Sequence, residues 1–407
     1  MKIICTVLFL SMLVSCSFSG KRERSPVAGN ENLYVVNIDE TPKEEFINLS
    51  TFFRDVETII LETKEECLIG EVSAIRVLDD FIVVTDADNT ESVFVFDRKG
   101  RFLHKVGQMG QGPGEYQGVS GSAIDFEKKE IYLLDNSSDK VLQYDIASGK
   151  FINSIGISQD GFSSYYIHYD DGKIYTGSIP NSKRDDSFLL QEFDAKTGRP
   201  VASYLSALAY NKGWNGYIGR SEGFFYPDED GGAKYVQMFM DTVVYIQNNE
   251  ITPYLAIQSK NWITEKEIQE LIKSEGENYS SKFHEIMFER DISYNIEQYV
   301  EFGNIICFRY YNRKDSEYVV YDKEHKTTRR VDYLKDDLVY SGDWVLFSTF
   351  AYADSKGVYS YLRSEQIPRF LEIASTGGLN SNLDKREILE KISEDDNPVV
   401  FFYYFKK

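Results

Sequence analysis

The chain has 407 residues, with 65 acidic against 45 basic side chains and a formal net charge of −20. That balance repels phosphate backbones and anionic lipid surfaces, which excludes nucleic-acid binding by counterion release and general adhesion of the body to membranes. Aromatic residues reach 14%, as 29 Tyr and 27 Phe against 3 Trp, a composition suited to β-strands rather than to tryptophan-built sugar platforms.

Lys2 opens the chain, followed by an apolar stretch from Ile3 to Val14. It is too short to cross a bilayer and has the form of a secretory signal. It ends in Leu13-Val14-Ser15-Cys16, which resembles a bacterial lipobox. The resemblance implies cleavage before Cys16, lipidation of its thiol and a membrane-anchored protein that does not span. Residues 16–32 are polar and rich in Ser, Gly and Lys/Arg, as expected of a flexible tether. Ser17 is not the aspartate that retains lipoproteins in an inner membrane, which favours the outer membrane. The run Lys21-Arg22-Glu23-Arg24, where surface-exported lipoproteins carry acids, favours its periplasmic face over surface exposure.

From residue 33 the pattern is β. Leu33 to Ile38 and Asp55 to Glu62 read as strands, and a first four-strand unit runs from about Ile69 to Gly107. A phrase then recurs: Phe96-Asp97-Arg98-Lys99-Gly100, Tyr144-Asp145 with Gly149, and Phe193-Asp194 with Gly198, the glycines falling every 49 residues. Each phrase lies between two apolar-alternating runs and predicts a turn joining two strands of a repeated antiparallel unit, which is the sequence sign of propeller blades. Second and third units span Ser122 to Ile155 and Tyr165 to Leu205, and a looser fourth spans Gly223 to Ile257.

Periodicity then changes. Thr264-Glu265-Lys266-Glu267 is a capping box, with Ile268, Leu271 and Ile272 on one helical face and a second helical run around Phe283, Ile286 and Met287. This predicts a helical insertion at about 262–291, between blades 4 and 5. β-pattern returns from Ile292 to Val331, and a sixth unit begins near Leu338 with strands at Trp344 to Phe350 and Gly357 to Leu362. A short helix around Asp384 to Ile392 precedes Val399-Val400-Phe401-Phe402-Tyr403-Tyr404-Phe405, a run too apolar to stay exposed. We expect it to close the ring against strands from the other terminus. The expected organisation is a signal peptide over 1–15, a tether over 16–32, and an all-β, six-bladed propeller over 33–407.

Several of these segments resemble one family, the six-bladed β-propeller lipoproteins of Bacteroidetes, related to NHL-repeat propellers. The match is carried by Asn48-Leu49-Ser50 before Val56 to Glu62, by Val95-Phe96-Asp97 with Gly100 and Phe102, and by Asp241-Thr242-Val243-Val244-Tyr245-Ile246. Its most specific part is Gly107-Gln108-Met109-Gly110-Gln111-Gly112-Pro113-Gly114-Glu115-Tyr116. The resemblance implies the fold and the anchor, and no established reaction.

Candidate chemistry is sparse. The loop bearing Gly110, Gly112, Gly114, Glu115 and Tyr116 invites comparison with a phosphate cradle, but it lacks the Gly-Lys-Ser/Thr ending of a P-loop and no helix follows it. It reads as an inter-blade loop. Asp86 and Asp135 recur 49 residues apart at strand ends, where turn capping competes with a site role. His104, His168, His284 and His325 are not blade-equivalent. No nucleophile elbow is present, no cofactor is expected, and nothing in the sequence supports calcium. Cys67 and Cys307 lie in apolar runs and read as buried free thiols, although one disulfide is compatible with their number. The expected role is a monomeric binding or scaffolding module for an envelope protein, a peptide or a glycan. The alternative is a metal-assisted hydrolase or lyase working at the channel mouth.

Overall fold

In the computed structural model, residues 33–158, 163–179, 187–214, 225–275, 282–283, 290, 292–312, 315–346 and 349–406 are described. They form six sheets arranged as propeller blades, each with four antiparallel strands, plus one two-stranded ribbon. Blade 1 comprises Ala74–Leu78, Phe81–Asp86, Ser92–Asp97 and Phe102–Lys105, counted from the axis outward. Blade 2 comprises Gly121–Asp125, Glu130–Asp135, Lys140–Asp145 and Phe151–Gly156. Blade 3 comprises Ser163–Asp170, Lys173–Ile179, Phe188–Asp194 and Pro200–Ser206, and blade 4 Phe225–Pro227, Ala233–Tyr235, Thr242–Gln247 and Glu250–Gln258. Blade 5 comprises Ser293–Phe302, Ile305–Asn312, Asp315–Asp322 and Thr327–Lys335.

Blade 6 is composite. Thr349–Ala353 and Gly357–Tyr361 are followed by the C-terminal strand Val399–Phe405, and the outermost strand is Phe53–Ile60 from the other end of the chain. The apolar run at the C-terminus thus closes the ring, with Val399 opposite Ile60 and Tyr403 opposite Val56.

Core packing explains why the second and third strands are apolar almost throughout. Blades stack face to face, so both sides of a middle strand are covered: Phe94 and Phe96 face the blade 6 side, while Val93 and Val95 meet Ile131, Leu133 and Leu142 of blade 2. The other side of blade 2, with Tyr132, Leu134 and Val141, packs on Ile167 and Ile174 of blade 3. Fourth strands lie at the rim and return to alternation or exposure, as Phe151 and Ile152 show.

The 49-residue phrase acquires a physical cause at this level. Asp97, Asp145 and Asp194 cap the turn between third and fourth strands by accepting backbone N–H groups of Lys99, Ser148 and Thr197. The glycine that follows each aspartate has positive φ (+84° at Gly100, +66° at Gly149, +69° at Gly198) and abuts the end of the preceding blade's outer strand. A Cβ at Gly100 would lie 2.1 Å from the Ile60 carbonyl oxygen, and one at Gly198 would lie 1.9 Å from that of Gly156. Gly198→Ala is therefore expected to cost about 2 kcal/mol or more. Gly172→Ala, where φ is +79° but nothing lies within 4 Å of the added Cβ, shares only the backbone strain. Urea unfolding of both variants checks this, and equal losses would show that the blade-to-blade approach does not matter.

The structure places two N-terminal segments on the rim and refines the expected insertion helix. Tyr34–Asn37 and Lys43–Asn48 are fifth strands, laid parallel on the outer edges of blades 4 and 5, so the N-terminal segment runs around the rim before it enters blade 6. The first was legible as a strand from its apolar run, but parallel addition at an edge needs no local turn signal, so the blade each one joins escapes a strand-by-strand reading. The insertion helix is Glu265–Glu275, whose Thr264 and Glu267 make the capping-box bonds; Ile286, Met287 and His284 lie outside the described residues.

Within blade 6 the first strand begins at Thr349, not Trp344, because Trp344 packs against Gly378 and beneath Arg369 of an additional helix, Ile367–Ser375. The short helix near the C-terminus is Arg386–Leu389. Cys67 and Cys307 are both buried and free, and burial pushes the Cys307 thiol up to about 12.

Candidate functional site

Each blade turns its first strand toward the axis, and these strands run in the same sense. One face of the ring therefore carries the strand ends from which the inter-blade connections and the turns between second and third strands leave. The glycine loop, the helix Glu265–Glu275 and the 362–398 segment of blade 6 all belong to that insertion face.

Two adjoining cavities occupy the channel. The first, about 90 Å³, is lined by Glu71, Val72, Ser73, Ala87, Asp88 and Ser120 at the insertion face and by Arg76, Tyr165, Tyr166 and Phe225 deeper in. The second, about 80 Å³, shares Ser73, Ala74, Arg76 and Phe225 with the first. It continues past Tyr299 and Tyr352 to Asp228 and Glu301, at the far ends of the blade 4 and blade 5 inner strands. Contacts between non-neighbouring blades bridge that far end. The Phe126 ring of blade 2 stacks on Tyr352 of blade 6 with centroids 6.3 Å apart, and the Ser355 backbone N–H donates to Glu229 Oε2 at 2.8 Å.

The charged groups of the far cavity are mutually satisfied. Lys234 lies 3.0 Å from Asp228 and 3.7 Å from Glu301, with its ammonium over the Tyr245 ring. Lys323 also pairs with Glu301, Tyr245 donates to Asp228, and Tyr254 donates to Glu301. Burial opposes ionisation of both carboxyls, but the lysines overcome it and hold them below the usual carboxylate range.

Arg76 is different. It sits in the inner strand of blade 1 where the two cavities meet, and burial pulls its guanidinium down to about 10. Its hydrogen bond runs from a guanidinium nitrogen to the carbonyl of its own neighbour Ile75, at 2.8 Å. Among the described residues no carboxylate forms an ion pair with it. His168, behind Phe225, is stacked on that ring and on Tyr175, and burial pushes its imidazole down to about 3, so it stays neutral.

The residues singled out by sequence lie elsewhere. Gln108–Met109 pairs with Glu115–Tyr116 to form the ribbon, and the Glu115 carboxylate accepts the Gly112 N–H at 2.7 Å and the Gln108 side-chain amide at 2.7 Å. Gly110 donates its N–H to the Tyr116 carbonyl, Tyr144 donates to that of Gly114, and Tyr116 is buried beneath the loop. The place a phosphate would take is thus filled by the loop's own carboxylate.

Asp86 accepts from the N–H groups of Gly70, Glu71 and Asn89 and from the Thr90 hydroxyl. Asp135 accepts from Gln117, from Ser138 N–H and from Ser138 Oγ. Each fastens the segment entering its blade to the turn of the same blade. Cys16 lies outside the described residues. Sequence reading missed Arg76, whose only signal was a lone charge in Ala74-Ile75-Arg76-Val77-Leu78. Among the described residues, no three His, Cys, Asp or Glu side chains converge in a way that could hold a metal ion. No described helix is long and apolar enough to cross a membrane.

The profile of a protein family, domain of unknown function DUF4934, matches residues 33–404, from the first rim strand to the closing strand. The chain belongs to the DUF4934 family. This DUF4934 propeller has no match among curated proteins. It is similar in structure to a protein of Bacteroides fragilis named for its inferred export, with a TM-score of 0.69 and 19% identity over 92% of this chain and 100% of that one. A DUF4221 family member from Bacteroides vulgatus aligns with a TM-score of 0.48 and 12% identity over 86% and 96% of the two chains. At such identities the first likeness shows the six-bladed fold and nothing of chemistry.

Proposed function

We propose that this is an exported, lipid-anchored binding propeller of the cell envelope, held through Cys16 and receiving its ligand at the channel mouth on the insertion face, with no bond made or broken. The observation that carries the reading is the cavity open to that face, floored by Arg76 and walled by Tyr165, Tyr166 and Phe225. A rigid ring keeps such a mouth preformed, while loops around it can vary without disturbing the core. The lipobox and tether support the anchor, the inferred export of the Bacteroides fragilis protein agrees with it, and Ser17 after the lipobox cysteine favours the outer membrane.

Two measurements test this reading. Metabolic labelling with an alkynyl fatty acid is expected to mark the wild-type protein and leave Cys16→Ala unlabelled and released from membranes; a labelled variant would refute the anchor. Native mass spectrometry of the protein purified from its own membrane is expected to show a bound species that Ala74→Trp, which fills the channel, no longer carries at unchanged melting temperature. Retention by that variant would move the binding surface off the channel.

A further inference from the structure

The cavity at the insertion face is polarised in charge. At its inner end lies Arg76, whose guanidinium carries five N–H donors of which one bond is accounted for, to its own neighbour's carbonyl. A partly buried cation in a narrow channel favours a carboxylate or an equivalent acceptor, and the more deeply buried cation of the channel, Lys234, has two. Arg76 has none among the described residues, in a chain where acids outnumber bases by 65 to 45. Within the described residues the place of a counter-ion on Arg76 is thus open to a group that enters the channel.

The mouth of the same cavity carries the opposite sign. Glu71 and Asp88 are both exposed and line it. Partial desolvation of its carboxyl, together with the neighbouring Asp88, Glu365 and Asp86, raises Glu71 above its usual range. Arg363 is the cation that opposes this, and it is engaged by the Thr349 hydroxyl and Glu365. A simple anion approaching Arg76 is repelled at this rim, whereas a molecule that carries a cation behind its carboxylate relieves the crowding. Between the two ends the walls are the aromatic side chains of Tyr165, Tyr166 and Phe225. A volume of about 90 Å³ is below the roughly 150 Å³ that holds a benzene ring, so the group admitted is slender.

Resting on the channel-binding reading above, we propose that the ligand is a small zwitterion of the amino-acid class, its carboxylate on Arg76 and its ammonium between Glu71 and Asp88. The planar fork of arginine matches a carboxylate in two parallel hydrogen bonds, which a lysine at the same place does not reproduce.

Titration calorimetry of the intact mature protein tests this with a series of probes: glycine, 4-aminobutyrate, 6-aminohexanoate and L-lysine, against acetate and butyrate as carboxylates without an amine and butylamine as an amine without a carboxylate. At least one amino acid is expected to bind, and both half-molecules to bind about 30-fold or more weakly. Arg76→Gln is expected to lose the amino acid by a similar factor, and Arg76→Lys to restore only part of it. Glu71→Gln combined with Asp88→Asn is expected to weaken the amino acid and leave acetate unweakened. Melting curves of each variant separate lost binding from lost fold, and Arg76→Lys keeps the charge should Arg76→Gln not fold.

Equal affinity for acetate and the amino acids, binding that survives Arg76→Gln, or no heat with any probe would overturn the proposal. Native mass spectrometry that still finds a channel-bound species after such a failure would leave the binding reading standing and refute the ligand class alone.

Discussion

A chain ending at Pro398 is expected not to fold. The strand it lacks, Val399–Phe405, is third in blade 6 and pairs on one side with Gly357–Tyr361 and on the other with Phe53–Ile60, so its loss detaches the N-terminal strand and opens the ring. Val399, Val400, Phe401, Phe402 and Tyr403 are all buried, and each contributes about 1.5–3 kcal/mol when removed from water. Together they approach or exceed the roughly 5–15 kcal/mol by which an ordinary domain is stable. Further losses follow where the strand meets its neighbours. Tyr403 donates to Asp336 Oδ2 at 2.5 Å, and Phe53 is surrounded by Phe302, Phe350, Tyr403 and Phe405. Circular dichroism of the truncated chain is expected to show no cooperative melting transition. A melting temperature near that of the full chain would mean that the ring does not depend on this closure.

Among single substitutions, Asp135→Ala is expected to rank with the most damaging. The carboxylate is fully buried and accepts the Gln117 N–H at 2.8 Å, the Ser138 N–H at 3.1 Å and the Ser138 hydroxyl at 2.9 Å, with Lys140 at 3.7 Å. Its removal strands donors in two segments at once and leaves Lys140 without that counter-charge. A loss of about 3–4 kcal/mol follows from the cost of unsatisfied buried groups. Asp135→Asn keeps an acceptor oxygen and the side-chain volume, so it should retain roughly half of that loss. Asp86→Ala should behave alike, since Asp86 binds Gly70, Glu71, Asn89 and Thr90 in the equivalent place of blade 1. Urea midpoints measure the series. A change below about 1 kcal/mol for Asp135→Ala would show that the blade does not need the clasp.

The contrast between Asp135 and Arg76 marks what a sequence can disclose. Asp135 repeats Asp86 at the blade spacing, so its importance was visible, and its contacts are with residues at most 18 positions away. Arg76 repeats nothing. Its surroundings come from Tyr165 and Phe225, which lie on other blades and far along the chain. The glycine loop shows the reverse case. Its composition suggested an anion cradle, yet the Glu115 side chain three residues from Gly112 fills the space, a local answer that depends on how the loop folds back into a ribbon. The helix Ile367–Ser375 and the rim strand Lys43–Asn48 escaped notice because each is stabilised by what it docks against rather than by its own pattern, and Tyr34–Asn37 was legible as a strand but not as the outer edge of blade 4.

What the sequence alone determined is the architecture. Turn chemistry at Asp97-Gly100, Asp145-Gly149 and Asp194-Gly198, the unbroken apolar middle strands and the apolar final strand are local or periodic, and local physics dictates them. The tertiary structure alone decided which side chains meet at the axis. A propeller builds its channel from one strand of every blade, so each pair of facing residues is separated by the length of at least one blade. The direction in which Arg76 points, and the absence of a carboxylate opposite it among the described residues, are set only when the ring closes.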